Sequence, residues 1–334
     1  MTHVASALAC SNIALVKYWG KADVERNLTA VPSLSLTLAA LTTRTRVEFD
    51  PNSNEDTLEI NGSVLDGTPV TRAVRLLDEV RSLARIQTRA RVTSFNDFPT
   101  ASGLASSASG FAALALAACA AAGVELPPSA TSSMARRASA SAARSVFGGF
   151  VELLAGAEAA QPLVDPEYLD VAMIIAATTL GPKAVGSTSG MLNTQRTSPY
   201  YPAWVASAEP LFREAKAALL AKDLERLGEA MEASTLAMHA CMLAARPSLC
   251  YLRDSTLSLM EEVRRLRSSG VAAFFTMDAG PHVKVLVSRA DSARVRDALA
   301  AVPGVERVIV SGPGAAAHVL APSVDGPARA GVAP

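Results

Sequence analysis

The chain has 334 residues, half of them hydrophobic and 19% charged, which is enough apolar sequence for a sizeable core in one or two domains. Lysine and arginine together number 31, as do aspartate and glutamate. The resulting net charge of zero excludes the general basic field that recruits nucleic acid or anionic lipid. An anionic ligand must therefore be bound by locally placed cations and helix ends.

The cysteines and histidines form no pattern typical of a metal site. The four cysteines have no CxxC spacing and the four histidines do not cluster. Scattered thiols are typical of a reducing compartment, and the first ten residues lack the features of a signal peptide. The apolar run at residues 111–122 is too short to span a membrane. We expect a cytoplasmic protein with no membrane or nucleic-acid partner and no dedicated metal ligands.

Hydrophobic periodicity predicts alternating strands and helices along the whole chain. In order, the first part contains strands 4–18, 34–49 and 58–62, helix 70–83, strand 89–95, helices 111–122 and 129–140, and strands 150–154 and 171–178. Helices 203–220, 223–243 and 248–268 follow, then strands 271–277 and 283–287, helix 292–302 and strand 305–310. The final β-β-α-β order predicts a ferredoxin-like layer.

A change of composition near residues 180–186 predicts the division between two domains. On this basis we expect an N-terminal domain over residues 1–185 and a C-terminal domain over residues 186–322. The Pro, Ala and Gly composition of residues 323–334 predicts a frayed tail.

The most informative segment is a small-residue loop, PTASGLASSASG at residues 99–110, that leads directly into an alanine-rich helix. Gly103 and Gly110 permit tight turns, and Ser106 and Ser107 lie where the first helical turn leaves N–H groups unpaired. With the helix dipole, these groups predict a site for a phosphate chain. The loop contains neither a Walker sequence nor a dinucleotide fingerprint. The alternative is a flexible linker.

Three further segments carry charged groups that suit anionic ligands. Lys17 and Lys21 flank a predicted strand end and are point charges suited to phosphates, although an exposed strand edge would have the same sequence. Arg144 follows two serines and could clamp a carboxylate through two hydrogen bonds, or simply end a polar helix. Asp278 precedes Ala-Gly-Pro, as turn-forming aspartates do. If it faces Lys17 it would stay ionised and could orient or deprotonate a hydroxyl.

The pattern P-x-x-x-G-L-x-S-S-A at residues 99–108 resembles the phosphate loop of the GHMP superfamily of small-molecule kinases. The preceding Asn96-Asp97-Phe98 makes the segment similar to the loop of one branch, the diphosphomevalonate decarboxylases. The segments SNIALVKYWGK (11–21), SASAARSVFGGF (139–150), GSTSGM (186–191) and DAGP (278–281) also resemble that branch, and the resemblance spans residues 6 to about 315.

The resemblance implies an α+β GHMP fold. Its N-terminal domain would be like ribosomal protein S5 domain 2, its C-terminal domain would be ferredoxin-like, and a deep cleft would lie between them. It also implies ATP-dependent decarboxylation of (R)-5-diphosphomevalonate to isopentenyl diphosphate, CO₂, ADP and phosphate, with ATP and Mg²⁺ as cofactors. The resemblance also implies a homodimer, because members of this family usually form one.

The resemblance also implies roles for particular residues. The catalytic residues would be Asp278, Lys17 and Arg144. Substrate would contact Tyr18, Trp19, Gly20, Lys21, Arg72, Ser139, Ser141, Arg144, Thr188 and Met191. The ATP phosphates would contact Pro99, Ser102, Gly103, Leu104, Ala105, Ser106 and Ser107, with Mg²⁺ carried on ATP near Ser107. The sequence leaves open whether Asp278 acts as a base or only orients the hydroxyl.

Two alternatives keep the fold and change the chemistry: a kinase of the 3-hydroxyl, and a phosphomevalonate decarboxylase. A non-catalytic ATP sensor is a third class, but Asp278, Lys17 and Arg144 are all retained. The chain departs from the family pattern at five positions. These are Val31 in place of Asn, Pro32 in place of Asp or Ser, Ala140 in place of Gly, Ala143 in place of Cys, and His282 in place of Asn.

Overall fold

The computed structural model of the chain describes residues 3–98, 106–178 and 185–321. Its strands are β1 (Val4–Val16), β2 (Lys21–Asp23), β3 (Leu28–Thr29), β4 (Ser33–Asp50), β5 (Thr57–Ile60), β6 (Ser63–Val64), β7 (Arg89–Asn96), β8 (Phe150–Leu153), β9 (Gln161–Val164), β10 (Val171–Ala177), β11 (Ala273–Met277), β12 (Val283–Ser288), β13 (Arg307–Ser311) and β14 (His318–Val319). Its helices are α1 (Thr68–Ala84), α2 (Ser106–Ala121), α3 (Pro128–Ala138), α4 (Ala142–Ser145), α5 (Ser187–Thr197), α6 (Tyr201–Leu220), α7 (Leu224–Leu243), α8 (Asp254–Ser268) and α9 (Ser292–Ala300).

The first sheet is built around the long strand β4, which pairs antiparallel with β1, β7 and β8. The sheet order is β14-β1-β4-β7-β5-β6, and β9 joins through β8. Burial alternates along the second half of β4, as expected of a strand with one wet face. The first six residues of β4 are all buried, because the second sheet and the helices α6 and α7 cover that end.

Helix α2 packs across β1 and β4, and its alanines are almost all buried. Small side chains let this helix lie close to the sheet. The apolar faces of α1 and α3 complete this core.

The second sheet has the order β11-β12-β10-β13, is antiparallel throughout, and is packed against α7, α8 and α9. The β11-β12-α9-β13 segment has the predicted ferredoxin-like order. The overall α+β architecture also agrees with the expected fold class.

The division between the two sheets lies earlier than the composition change. Strand β10 pairs with β12 and β13 and all seven of its residues are buried, so it belongs to the second sheet. The chain therefore passes from one sheet to the other after β9, before the expected boundary between residues 185 and 186. It also returns at its end, because β14 pairs with β1.

Several elements differ from the sequence-based expectations. Helix α8 begins at Asp254 instead of residue 248, because the Thr256 hydroxyl accepts the Arg253 N–H at 3.1 Å and caps an extended segment. The hairpin of β2 and β3 and the helices α4 and α5 were not predicted. No helix in the described part of the chain is long and apolar enough to cross a membrane. The expected tail at residues 323–334 lies outside the described residues.

Candidate active site

A cleft of about 1050 Å³ opens where the end of β1, the hairpin β2–β3, helices α1, α3, α4 and α5, and the turn after β11 meet. We call it the main cleft. Its walls include most of the side chains selected from the sequence: Lys17, Tyr18, Trp19, Lys21, Arg72, Ser107, Ser139, Ser141, Arg144, Thr188, Met191 and Asp278. Cations outnumber carboxylates along these walls, so the cleft favours an anionic ligand.

The remaining selected residues are Gly20 and those of the predicted phosphate loop. Gly20 is buried behind the wall with a φ of +115°, and a Cβ there would overlap the Tyr201 hydroxyl, so only glycine fits. Pro99, Ser102, Gly103, Leu104 and Ala105 lie outside the described residues. Ser106 lines a second cavity described below, and Ser107 lines both spaces.

At the centre of the main cleft, the Asp278 carboxylate lies between two buried lysines. Lys17 Nζ is 2.7 Å from Oδ1 and Lys284 Nζ is 3.0 Å from Oδ2. Lys17 also donates to the Ala14 carbonyl at 2.8 Å, which fixes its direction. Burial alone would raise the pKa of the Asp278 carboxyl, but the charges of Lys17 and Lys284 outweigh burial and hold that pKa well below its usual range.

The two other ionisable groups beside this carboxylate respond to the same surroundings. Burial, aided by the charges of Lys284 and Arg144, lowers the pKa of Lys17 to about 8. Burial likewise lowers the pKa of His239 to about 4, with Lys17 as the next cause, so that this histidine is neutral at physiological pH. Its ring hydrogen-bonds the backbone of Asp278.

Arg144 is held rigidly against the wall of the cleft. Nη1 donates to the Ser33 hydroxyl at 2.7 Å and Nε to Asn12 Oδ1 at 3.3 Å. Asn12 in turn donates to Ser145 Oγ and to the Ser141 carbonyl, which ties α4 to β1. Burial lowers the pKa of Arg144 to about 10, which leaves the guanidinium charged at neutral pH. A fixed, charged guanidinium suits a planar carboxylate ligand.

Two further cations, Lys21 and Arg72, line the same cleft, and we call them the outer cations. Lys21 Nζ donates to the Tyr18 hydroxyl at 3.0 Å and to Asn27 Oδ1. Arg72, on α1, donates through Nε to the Ala138 carbonyl at 2.6 Å and stacks on the Phe111 ring. These contacts orient two cations before any ligand arrives.

The hydroxyls and apolar groups of the cleft come from the α3–α4 junction, from α5 and from the segment after β1. Ser139 Oγ and Ser141 Oγ lie 3.3 Å apart between α3 and α4. Thr188 is exposed in the first turn of α5, and Met191 is buried one turn later against Trp19. A Cβ on Gly190 would lie 3.2 Å from the Trp19 ring, which explains the close approach of α5.

A second cavity of about 440 Å³ adjoins the main cleft and shares Arg72 and Ser107 with it. Its walls are mostly apolar, with Leu58, Ile60, Val92, Phe111 and Leu114 among them. Asn61, Ser94, Asn96 and Ser106 supply polar groups. The sequence offered no signal for this cavity, because its walls come from five separate segments.

Family comparisons identify both halves of the chain. The model described as the diphosphomevalonate decarboxylase-like N-terminal domain matches residues 9–163, and that of the mevalonate 5-diphosphate decarboxylase C-terminal domain matches residues 173–311. The chain belongs to the diphosphomevalonate decarboxylase family.

Individual relatives are similar over nearly the whole length. A diphosphomevalonate decarboxylase of Candida albicans is 34% identical over 314 residues, which cover 87% of this chain and 86% of the relative. A phosphomevalonate decarboxylase of Haloferax volcanii is 33% identical over 310 residues, with coverage of 92% and 94%. A solved structure described as MDDEF in complex with MVAPP, AMPPCP and magnesium is 38% identical, covers 95% of this chain and 98% of that chain, and has a TM-score of 0.89.

The departures from the diphosphomevalonate decarboxylase pattern lie in buried places. Val31 is buried and packs in one apolar cluster with Trp19 and Met191, so this loop is fixed against the cleft by apolar contacts. Pro32 follows it and is also buried. His282 is fully buried, and its Nδ1 accepts the Thr178 N–H at 3.2 Å.

Lys284 contacts the Asp278 carboxylate directly and was missed by the sequence analysis. A signal was present, since Lys284 is the one charged residue within the apolar run VKVLV of β12. Its relation to Asp278 depends on the antiparallel register of β11 and β12, in which Lys284 pairs with Thr276. That register could not be read from the sequence alone.

Proposed function

We propose that this protein catalyses the ATP-dependent decarboxylation of (R)-5-diphosphomevalonate to isopentenyl diphosphate, CO₂, ADP and phosphate. The observation that carries the proposal is the Asp278 carboxylate, ion-paired with buried Lys17, in a cleft that also holds Arg144 and a separate group of cations. Membership of the family and its similarity to a structure with AMPPCP and magnesium support the same reaction.

The outer cations bind the diphosphate of the substrate in this proposal. The charges and hydroxyls come from Tyr18, Lys21, Arg72, Ser139, Ser141 and Thr188. Trp19 and Met191 line the wall, and Gly20 is buried behind it. Lys21 and Arg72 are already oriented by protein contacts, so little side-chain entropy is lost when the diphosphate binds. Binding energy at this remote end positions the reacting end of the substrate.

Asp278 orients the tertiary 3-hydroxyl towards ATP. A carboxylate flanked by two ammonium groups is a weak base, so orientation accounts for its role better than strong proton abstraction. Lys17 offsets negative charge on the transferring phosphoryl group. Arg144 holds the carboxylate that leaves as CO₂, while the C–C electrons move towards C3 as its phosphate departs.

ATP binds with its phosphates at the N-terminus of α2 and its nucleoside in the second cavity. Ser106 and Ser107 lie at that helix end, and residues 99–105 precede them in the sequence. The apolar walls of the second cavity suit a purine ring, and Asn61, Ser94 and Asn96 offer hydrogen bonds.

The donor set of the cleft fits Mg²⁺ carried by ATP. In the described ranges no three His, Cys, Asp or Glu side chains lie close enough to hold a metal ion, so phosphate oxygens would provide most of its ligands near Ser107. Magnesium bound in this way reduces the negative charge on the phosphates.

The direct test incubates the purified protein with ATP, Mg²⁺ and 5-diphosphomevalonate and follows CO₂ and ADP together. We expect both products in equal amounts. ADP without CO₂ would instead indicate a kinase of the 3-hydroxyl. Because a relative is named phosphomevalonate decarboxylase, 5-phosphomevalonate is assayed in parallel, and faster turnover of the monophosphate would transfer the proposal to that substrate.

We further propose a cytoplasmic homodimer. Free cysteines at positions 10, 119, 241 and 250 are consistent with a reducing compartment. Sedimentation equilibrium of the purified protein measures the mass directly, and a monomer at micromolar concentration would contradict the dimer.

A further inference from the structure

We propose that Lys284 is a positioning residue for the reaction: it holds the Asp278 carboxylate in the orientation that faces the cleft and, with Lys17, keeps it ionised. The kinetic consequences rest on the function proposed above. The structural part rests only on contacts between described residues.

The geometry supplies the first argument. Lys17 Nζ contacts Oδ1 at 2.7 Å and Lys284 Nζ contacts Oδ2 at 3.0 Å, so each carboxylate oxygen of Asp278 has its own ammonium partner. The terminal torsion of an aspartate is otherwise broad and nearly two-fold. With both oxygens engaged, rotation of the carboxylate would break at least one contact. Lys284 therefore fixes the carboxylate oxygen that Lys17 does not contact.

Burial supplies the second argument. Lys284 is fully buried and does not line the main cleft, whereas the Asp278 side chain is 24% exposed and does line it. Lys284 therefore cannot contact substrate and acts through Asp278. Its space within β12 could be filled by an apolar side chain of similar length, so packing alone does not require a charge at this position.

The surrounding charges supply the third argument. Among the described residues, the ionisable groups that face Asp278 are Lys17 after β1, Arg144 on α4, His239 on α7 and Lys284 on β12. His239 is neutral, because burial and the nearby lysines lower its pKa to about 4. Loss of the Lys284 charge would raise the pKa of Asp278, which loses a cation. It would also raise the pKa of Lys17 above about 8, because Lys284 is one of the charges that lower it.

The kinetic test compares Lys284→Met with Lys284→Arg. Methionine keeps the length without the charge, and arginine keeps the charge. In Lys284→Met we expect kcat to fall on the order of 10–100-fold, as for other groups that orient a functional side chain. KM for both substrates should stay within about threefold, because Lys284 does not line the cleft. The alkaline limb of the pH profile of kcat/KM, which follows the deprotonation of Lys17, should move to higher pH by about one unit. Lys284→Arg should restore part of the rate and the original profile.

The matched control is Lys216→Met. Lys216 forms a 2.8 Å ion pair with the largely buried Glu152 away from the cleft, so its loss should lower stability without moving either pH limb. If Lys284→Met had a wild-type pH profile and Lys284→Arg were equally slow, Lys284 would be only a structural residue and the proposal would be overturned.

A second measurement does not depend on activity. Thermal midpoints are compared for wild type, Lys284→Met, Asp278→Asn and the double variant. Because Lys284 and Asp278 attract each other, Lys284→Met should lower the midpoint less, or raise it, in the Asp278→Asn background. Additive midpoints would overturn the proposed contact, whether or not the wild type releases CO₂. Lys284→Gln replaces Lys284→Met in both experiments if the methionine variant does not fold.

Discussion

At the scale of single residues, the charge and orientation of Asp278 are the features on which the proposed reaction depends. Its two oxygens are engaged by two buried lysines, and its pKa is held well below the usual range by their charges. Such a group remains ionised at neutral pH, where it can accept a hydrogen bond from a hydroxyl.

We predict that Asp278→Asn removes turnover, with kcat falling about 10³-fold or more, while substrate still binds within about tenfold. The amide keeps the shape but loses the charge, and its NH₂ group would face one of the two ammonium groups. Calorimetric titration with diphosphomevalonate and a CO₂ assay measure the two quantities. Asp170→Asn, at an exposed ion pair with Arg289, is the control. Near-normal turnover in Asp278→Asn would remove this residue from the reaction.

Arg144 gives a second prediction at this scale. Arg144→Gln should lower kcat roughly 10²-fold or more while changing the affinity for ATP by less than about threefold. Glutamine cannot form the two parallel charged hydrogen bonds with the substrate carboxylate. Nucleotide affinity is measured by titration and turnover by CO₂ release, with thermal melting to verify folding. A selective loss of ATP affinity would mean that Arg144 contacts the nucleotide.

The sequence identified many single residues of the cleft but few of the contacts between them. Lys17, Tyr18 and Lys21 were found because they lie close together in a segment that resembles one of a known family. The pairing of Lys17 with Asp278 spans 261 positions and could only be anticipated through that resemblance. Lys284 was missed because its neighbour is defined by strand register. Roles assigned to all these residues stay predictions until they are measured.

At the scale of elements, the hairpin β2–β3 connects the phosphate-binding proposal to the rest of the fold. Asn27 lies at its turn with φ of +56°, accepts from Lys21 Nζ, and donates through Nδ2 to the Arg136 carbonyl at 2.7 Å. Arg136 is buried and donates through Nε to the Glu158 carbonyl at 2.7 Å. The direction of Lys21 is thus set by a helix and a loop more than 100 residues away. Strands this short leave no periodic signal in a sequence.

We predict that Asn27→Gly raises KM for diphosphomevalonate roughly fivefold, equivalent to about 1 kcal/mol, because the hydrogen bond that orients Lys21 is lost. Glycine adopts the positive φ without strain, so only the side-chain contacts are removed. kcat and KM for ATP should change by less than about twofold. Lys222→Gly is the matched control, because Lys222 has φ of +57° at the end of α6, away from the cleft. An equal effect of both substitutions would mean that backbone flexibility is responsible.

At the scale of the whole molecule, periodicity and resemblance predicted the fold class. They did not predict the point at which the chain passes from the first sheet to the second. Strand β10 is apolar throughout and its sequence gives no indication of which sheet it joins. Its two partners, β12 and β13, lie more than 100 residues further along the chain. The composition change near residue 185 follows the strand and does not mark the exchange of sheets. Packing of the whole chain decides which distant strands pair, and the hydrophobic pattern of a single segment contains no information about it.

The arrangement of the whole molecule leads to a last prediction, on discrimination between substrates. The proposed diphosphate anchors lie on the segment after β1, on β2, on α1, at the α3–α4 junction and on α5, whereas Asp278 follows β11 of the second sheet. Mevalonate without phosphates would leave Lys21 and Arg72 without an anionic partner and the nearby hydroxyls unpaired. Loss of such polar contacts commonly costs ~10⁴-fold or more in specificity. Plain mevalonate should therefore be a very poor substrate, and 5-phosphomevalonate should be intermediate.

Lys21→Ala and Arg72→Ala should narrow the gap in kcat/KM between the diphosphate and the monophosphate, because each removes a charge that only the longer anion uses fully. The comparison requires kcat/KM for three substrates on the wild type and both variants, with Arg289→Ala as an exposed-arginine control. If mevalonate reacted nearly as well as its diphosphate in the wild type, the outer cations would not be anchors, and the protein would act at a different step.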